Sequence, residues 1–365
     1  MILTFYFARR FLWSVTQIFL IFFGILLLIE TVEQLRRFSD AGIGLSDAGR
    51  LALFAVPDTL YRILPLIVVM GAIANFLSLA RSSELVALRA SGRSGLRFLV
   101  TPVAVALVLG LLAISLFNPL VAATTKRYDA ERAALSKGGG SVLSVSDSGL
   151  WLRQGEDEGQ TVVQAAKSGP DGTELFGATF LTFGRDGRPL TRIEAENARL
   201  APGGWTLTGV KTWNLNDPNP ELSAKIEPGP VTLASELTAD RIRDSFGSPT
   251  EIAFWALPGY IAELERAGFS SLTHRIWFQM ELAQPLLLTA MVLIAAGFTM
   301  RHARFGGTGK MVLYAMLSGF GIFFLRNFAQ AMGDTSQIPV ALAAWSPPLI
   351  ALLMSLGFLL HLEDG

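Results

Sequence analysis

Six long runs of apolar residues divide the chain, each near or above the length that crosses a bilayer. They cover residues 11–32, 51–79, 98–123, 272–300, 311–331 and 339–360. A transmembrane helix needs about 20 predominantly apolar residues, because each adds about 1.5 Å to a path through about 30 Å of hydrocarbon. Several runs contain a proline: Pro65, Pro102, Pro119 and Pro285. Neighbouring helices are expected to satisfy the backbone groups that each proline leaves without a partner.

A long insert between the third and fourth runs follows a different pattern. Residues 126–268 are rich in Gly, Asp, Thr and Pro, and they form short alternating segments such as "GQTVVQAAK" and "ELFGATFLTFG". The Asp-Gly pair at 186–187 is a hairpin signal between two of these segments. Many short strands with regular turn signals predict a small β-sandwich or open barrel.

The segment "WTLTGVKTWNL" changes phase along its length. Trp205 and Leu207 share a parity with Trp213, whereas Val210 falls on the other parity. This predicts a β-bulge near Gly209. The insert then returns to a helical period in "PGYIAELERAGF", which predicts a short helix that stops at its glycine.

These patterns predict an α-helical polytopic membrane protein with six transmembrane helices and an inserted β-domain. We divide it into residues 1–125 with three helices, 126–268 with the β-domain and its helical connector, and 269–365 with the last three helices. Most Lys and Arg residues of the short loops fall on the side of the N-terminus. The positive-inside rule therefore predicts that both termini are cytoplasmic and that the β-domain lies outside the cytoplasm.

Composition supports a membrane protein and argues against several other classes. The 365 residues are 51% hydrophobic and only 16% charged, against about 25% charged in soluble domains. The net charge of zero predicts no binding to nucleic acid, and the absence of cysteine excludes disulfides and thiolate chemistry. The motif "GGTGK" lacks the spacing of a phosphate-binding loop, and the three histidines are far apart. We therefore predict no catalytic residues, no metal and no cofactor.

The stretch "ARSSELVALRASG" between the second and third runs predicts a short amphipathic helix at 83–92. A serine can cap its N-terminus, and a glycine can end it. The carboxylate of Glu84 is favourable in the first turn because the N-terminal end of a helix dipole is positive. Leu85 and Leu88 share a face, with Glu84 and Arg89 beside it. Such a helix fits a groove on a partner protein, and an ATPase is the expected partner because this chain has no ATP site. The alternative is an ordinary basic loop.

Two arginines follow the first run, in "ETVEQLRRFSD". Arg36 and Arg37 break the positive-inside rule locally. One interpretation is snorkelling at a helix end, and the other is recognition of an anionic group, because guanidinium forks suit phosphate. Glu30 and Glu33 precede them and are predicted either to pair with the arginines or to face a polar cavity.

Three segments resemble a known family. These are "LARSSELVALRASG", "ILPLIVVMGAIANFL" and "LAAWSPPLIALLMSLGFLL", and they are similar to segments of the lipopolysaccharide export permeases of the LptF/LptG family. The order of three helices, a periplasmic β-jellyroll and three helices is also the order of that family. The segments "VEQLRR" and "GLWLR" are closer to the LptG branch than to the LptF branch. The resemblance covers essentially the whole chain.

The resemblance implies a non-enzymatic permease subunit in the inner membrane of a Gram-negative bacterium. It implies a heterodimer with an LptF-like permease, an LptB-like cytoplasmic ATPase dimer, and LptC/LptA-like periplasmic β-jellyroll proteins that receive the lipopolysaccharide. The family's coupling helix falls on 83–92, with Glu84 as the acid that meets the ATPase. Its basic cluster falls on Arg36 and Arg37. Some members have a base where this chain has Glu30.

Large apolar side chains in the β-domain allow two interpretations. They fill a closed core, or some of them line a groove that conducts acyl chains, while free strand edges pair with the next β-jellyroll. The candidates for such a conduit are Trp151, Phe176, Phe180, Trp205, Leu207 and Trp213.

Two alternative functions remain at this stage. The first is the paralogous LptF-type subunit of the same exporter. The second is a membrane-anchored sensor or assembly factor whose β-domain binds an envelope protein. A sensor would need no coupling helix, so dependence of an ATPase on Glu84 separates it from the transport subunits.

Overall fold

The computed structural model describes residues 2–39, 42–82, 84, 95–135, 143–146, 149–154, 160–169, 172–184, 186–235, 237–238, 242, 248–299 and 308–364. The chain divides into two units, which are treated separately. The first comprises Met1–Leu135, Thr250–Trp255 and Leu272–Gly365. The second comprises Ser136–Pro249 and Ala256–Ser271.

Long α-helices build the first unit. They are α1 (Ile2–Arg37), α2 (Leu45–Arg62), α3 (Leu64–Arg81), α4 (Gly95–Leu112), α5 (Asn118–Leu135), α7 (Leu272–Thr299), α8 (Thr308–Asp334) and α9 (Val340–Asp364); the shorter α6 (Leu257–Arg266) belongs to the second unit. Among the described residues, six helical segments are long and apolar enough to cross a membrane. The predicted polytopic helical class and the number of spans are therefore confirmed, but the second span is Leu64–Arg81 rather than residues 51–79.

The second predicted span consists of two helices that meet at Ile63. The backbone of Ile63 leaves the helical region with φ −92° and ψ 5°, and Pro65 occupies the first turn of α3. Proline fits a first turn because the first amide groups of a helix have no intrahelical acceptor. The sequence therefore marks this break correctly.

The third span contains a π-helical turn, Ala113–Phe117, between α4 and α5. Pro119 follows it and has no backbone N–H to donate to Ser115, four residues earlier. The carbonyl oxygen of Ser115 instead accepts a hydrogen bond of 3.4 Å from the indole of Trp255. This contact supplies a donor at the break, as irregular backbone at membrane depth requires.

Helix α7 is the centre of the bundle. It contacts α3, α4, α8 and α9, and most of its residues are buried. By contrast, α1 and α8 bury few of their residues and expose large apolar side chains such as Leu20, Leu28 and Phe324. These two helices therefore offer apolar surface to lipid or to a partner subunit.

In the part of the second unit that the structure describes, nine strands form one antiparallel sheet. Its strands are β1 (Leu143–Ser146), β2 (Gly149–Gln154), β3 (Gln160–Ser168), β4 (Glu174–Phe183), β5 (Pro189–Ala201), β6 (Gly204–Thr208), β7 (Val210–Asn214), β8 (Lys225–Glu227) and β9 (Val231–Ala234). The order is β1-β2-β3-β4-β5-β6-β9, and β7 pairs with both β5 and β8. The long strand β5 thus pairs with β6 through one half and with β7 through the other. An inserted β-domain is as predicted.

The buried positions change parity along a line that crosses four strands, which indicates a bend of the sheet. On β4 the buried residues Leu175 and Ala178 are three positions apart instead of two, and β3, β5 and the β6–β7 segment repeat this spacing. A paired row of residues follows the bend: Lys167, Phe176, Asn197 and Thr208. Gly177 and Gly209 lie beside it with φ of 60° and 65°, a conformation that glycine adopts without strain.

The prediction of a β-bulge near Gly209 is wrong. Asn197 pairs with Thr208 and Glu194 pairs with Lys211, so the register against β5 continues without an inserted residue. The phase change at Val210 comes from the bend, which changes the parity of the buried positions in every strand it crosses. One strand read alone cannot distinguish these two causes.

Helix α6 and the segment after β9 cover the core of the second unit. Leu237, Ile242, Leu264 and Phe269 pack in one cluster with buried side chains of the sheet. Gly268 follows α6 with a positive φ, so the predicted stop of this helix is confirmed.

Candidate functional site

Glu84 is held by the first helix of the bundle. Its Oε1 accepts a hydrogen bond of 2.6 Å from Arg10 Nη1 and one of 2.8 Å from the Ser82 hydroxyl. Its Oε2 accepts a long hydrogen bond of 3.4 Å from the Tyr6 hydroxyl. The other predicted coupling residues lie outside the described residues: Leu85, Leu88 and Arg89.

The contacts of Glu84 keep its carboxylate charged. Burial by itself would raise the pKa of Glu84, but the hydrogen bonds from Arg10 and Ser82, with the charge of Arg10, outweigh burial and place this pKa below its usual value. The stabilisation from this contact is therefore present at neutral pH, and it is lost as the pH falls through the lowered pKa.

Arg36 and Arg37 lie at the C-terminal end of α1 and share an acidic partner. Glu33 is 2.9 Å from Arg36 Nη2 and 3.8 Å from Arg37 Nη2. The Arg36 side chain is 79% exposed and the Arg37 side chain 42%. Water screens exposed ion pairs, so they contribute little to stability, and an anionic ligand can compete with Glu33 for both guanidinium groups.

The same end of α1 is fixed to α5. The buried side chain of Gln34 donates hydrogen bonds of 2.6 Å to Glu30 Oε1 and 3.0 Å to the Tyr128 hydroxyl. Arg37 Nη1 also contacts that hydroxyl, at 3.4 Å. Glu30 thus bonds to Gln34, a partner that the sequence analysis did not consider for it.

The six apolar residues proposed for a conduit occupy two environments. Four of them are buried in the β unit: Phe180, Trp205, Leu207 and Trp213. The rings of Phe180 and Trp205 pack edge to face at 6.0 Å. Trp151 and Phe176 are 38% and 41% exposed, and the bend beside Gly177 turns Phe176 outward.

Alanine substitutions of a buried and an exposed aromatic residue are expected to differ in their effect on stability. Phe180→Ala should lower the stability of the β unit by about 3–5 kcal/mol, because it leaves a cavity in a closed core. Phe176→Ala, the matched change on the same strand, should stay within about 0.5 kcal/mol. Hydrogen exchange of β3–β5 in the purified protein measures both. Equal losses of protection in the two variants would contradict the assignment of Phe176 to the surface.

A second group of polar residues lies inside the bundle. Glu281 on α7 is fully buried and accepts a hydrogen bond from the hydroxyl of Tyr61 on α2. Arg326 on α8 is buried close enough to interact electrostatically with both. Asn118 accepts a hydrogen bond of 2.7 Å from the backbone N–H of Phe254. Glu281 Oε1 has no hydrogen-bond partner among the described residues.

With this geometry in hand, comparison with known proteins identifies the family. The family model of the lipopolysaccharide export system permease LptF/LptG matches residues 5–361. This chain belongs to the LptF/LptG family. The match includes both helical halves and the β unit.

Curated relatives of the chain come from the LptG branch. The lipopolysaccharide export system permease protein LptG of Escherichia coli K12 is 25% identical over 336 residues, which cover 92% of this chain and 91% of that protein. LptG of Haemophilus influenzae is 22% identical over 361 residues, with coverage of 96% and 95%. The resemblance to the LptF/LptG family is therefore confirmed.

The sequence of this LptF/LptG member does not by itself single out Glu281 and Arg326. The available signal was the presence of a charged residue inside an apolar run, because such residues are costly unless they are paired or functional. Their proximity was not predictable, since 45 positions and a change of helix separate them. Tyr61 gives no signal by itself, because a lone tyrosine is common in membrane helices.

Replacement of Glu281 is expected to destabilise the bundle. Glu281→Gln weakens the buried acceptor of the Tyr61 hydroxyl, and loss of a buried hydrogen bond costs about 1–3 kcal/mol. The double variant Glu281→Gln/Tyr61→Phe should lose little more than the larger single loss, because the two residues share one contact. Thermal unfolding in detergent measures the effect, with exposed Glu227→Gln as control. A Glu281→Gln variant as stable as the parent would contradict a stabilising contact between Glu281 and Tyr61.

Proposed function

We propose that this chain is the LptG-type permease subunit of a lipopolysaccharide exporter. It extracts lipopolysaccharide from the outer leaflet of the inner membrane, passes it to periplasmic β-jellyroll proteins, and uses ATP hydrolysed by a partner subunit. The observation that carries this proposal is the family match across residues 5–361, joined to LptG relatives aligned over more than nine tenths of this chain. A whole-length match favours the complete permease over a protein that shares one domain.

The geometry of α1 suits both tasks of such a subunit. Its C-terminal end carries Arg36 and Arg37, whose forks can hold the phosphate groups of a lipid head group. Glu33 contacts both forks, and a phosphate group can compete with it because guanidinium forks suit phosphate oxygens. The N-terminal end of α1 holds Glu84, at the start of the segment 83–92 proposed to dock on the ATPase.

The remaining assignments belong to the same proposal. Both termini are cytoplasmic, and the β-domain of residues 126–268 is periplasmic. Partners are an LptF-like permease in a heterodimer, an LptB-like ATPase dimer, and LptC/LptA-like periplasmic proteins. Of the six conduit candidates, Trp151 and Phe176 are exposed enough to meet an acyl chain without rearrangement of the core.

Purification from mild detergent, followed by mass spectrometry of proteins and lipids, tests the proposed function. We expect an ATPase, a second permease of the same family and lipopolysaccharide to accompany the chain. An unrelated six-helix permease of the same membrane, purified in parallel, controls for lipid carried over with detergent. Recovery of an envelope protein alone, with neither ATPase nor lipopolysaccharide above this control, would favour the sensor instead.

A further inference from the structure

Helix α1 is one unbroken rod between the two ends that the proposed function uses. It runs for 36 residues from Ile2 to Arg37, and it contains no proline. At about 1.5 Å per residue it is about 54 Å long. A displacement applied near Arg10 therefore reaches Arg36 and Arg37 without an intervening proline kink.

The N-terminal end of α1 grips the chain just before the segment proposed to dock on the ATPase. Arg10 holds two groups at once: Nη1 is 2.6 Å from Glu84 Oε1, and Nη2 is 2.9 Å from the hydroxyl of Ser78. The Tyr6 hydroxyl accepts a hydrogen bond of 2.9 Å from Arg10 Nη1. A planar guanidinium fork fixes direction as well as distance, which a lysine ammonium does not.

Aromatic packing joins α1 to the helices on both sides of that segment. The ring of Phe7 meets Phe98 of α4 edge to face at 4.8 Å, and Phe98 lies 6.3 Å from Phe76 of α3. All three rings are buried. Because α3 precedes the segment and α4 follows it, the start of α1 contacts both flanks.

Glu84 keeps capacity for a partner while Arg10 holds it. An ionised carboxylate has about four acceptor positions. Among the described residues, the contacts from Arg10 and Ser82 fall on Oε1, whereas Oε2 receives only the long contact from Tyr6. A donor on the ATPase can therefore use Oε2 without displacing Arg10.

We infer that Arg10 is a positioning residue that orients Glu84 for the ATPase and transmits the movement of the docking segment to α1. This inference rests on the proposed function and adds to it a mechanical route from the ATPase to the lipid-binding end of α1. Arg10 acts through Glu84. The packing of Phe7 on Phe98, and of Phe98 on Phe76, links α1 to the helices before and after the docking segment, so it transmits the same movement.

The reconstituted complex tests this route through the amount of lipopolysaccharide transported per ATP hydrolysed. Arg10→Gln should lower that ratio about three- to tenfold, with the ATPase still bound. Arg10→Lys should fall between Arg10→Gln and the parent, because it keeps the charge and loses the fork. The control is Arg9→Gln, the same change at the neighbouring exposed position, which should leave the ratio unchanged. Thermal unfolding of each complex identifies any variant that fails to fold. In that case Ser78→Ala removes only the hydrogen bond from Arg10 Nη2 and leaves the contact of Arg10 with Glu84 in place.

Two comparisons decide the inference. Introduced into a Glu84→Ala background, with the ATPase in sufficient excess to keep the complex assembled, Arg10→Gln should cause no further loss of the ratio, because residues that act as one unit are not additive. A parental ratio in Arg10→Gln, or a full additional loss in the double variant, would overturn the inference and leave the proposed function intact. A parental complex that neither binds the ATPase nor transports would overturn the proposed function and the inference with it.

Discussion

Exchange of Glu84 for alanine is expected to release the ATPase from the permease. Truncation of one side of a hydrogen-bonded charge pair at an interface costs about 2–5 kcal/mol, which corresponds to at least about a 30-fold loss of affinity. Glu84 is already charged and oriented by Arg10 and Ser82, so its carboxylate reaches the partner without further ordering. Its removal also leaves the Arg10 fork without its acidic partner.

Titration of the purified permease with the ATPase measures this loss directly. Glu227→Ala removes an exposed carboxylate from β8 and should keep the parental affinity. Glu84→Gln keeps the shape and loses the charge, so it should bind between the parent and Glu84→Ala. Parental ATPase affinity and lipid-stimulated hydrolysis in Glu84→Ala would remove this residue from the interface.

Reversal of the two arginines at the other end of α1 should impair lipid capture. Arg36→Glu/Arg37→Glu replaces attraction of phosphate by repulsion, whereas the double change to alanine only removes the attraction. Water weakens charged hydrogen bonds at exposed positions, so we expect only about a tenfold loss of affinity for the alanine pair and a larger loss for the glutamate pair.

Glu33→Gln should change lipid binding in the opposite direction. It frees both arginines from the acid that they share, so lipid binding should increase. Photo-cross-linking of lipopolysaccharide from a probe near Arg37 measures all three variants, with complex assembly as control. The differences should shrink at high salt, because exposed charges are screened over about 10 Å at 0.1 M. If the alanine and glutamate pairs both cross-linked as the parent does, the arginines would only anchor the helix end.

Periodic features of the fold follow from the sequence because they depend on local chemistry. Apolar runs that are long enough to cross a bilayer indicate transmembrane helices, so the presence of six spans was predictable. Pro65 marks the break between α2 and α3 because proline fits the first turn of a helix. The glycine after α6 marks its end, and alternating segments mark the strands of the β unit.

Features that depend on several elements at once were not predictable. Phe176 shares the parity of Phe180 in the sequence, yet the bend across four strands turns it to the surface. Glu281 meets Tyr61 only because α7 packs at the centre of the bundle. The contact of Arg10 with Glu84 joins residues of two helices and has no sequence signature. Each of these requires the assembled packing rather than a local rule.

ATP-driven extraction of lipopolysaccharide is most directly tested in proteoliposomes that contain the permease, its second subunit and the ATPase. Lipopolysaccharide carrying a photoreactive label is incorporated in the membrane, and a soluble periplasmic β-jellyroll acceptor with cross-linking capacity is added outside. The proposed function predicts adducts on the acceptor that accumulate with ATP, stop with a non-hydrolysable analogue, and fall in the Glu84→Ala and Arg36→Glu/Arg37→Glu variants. Equal adduct formation with and without ATP, or none with a complex that hydrolyses ATP, would contradict it.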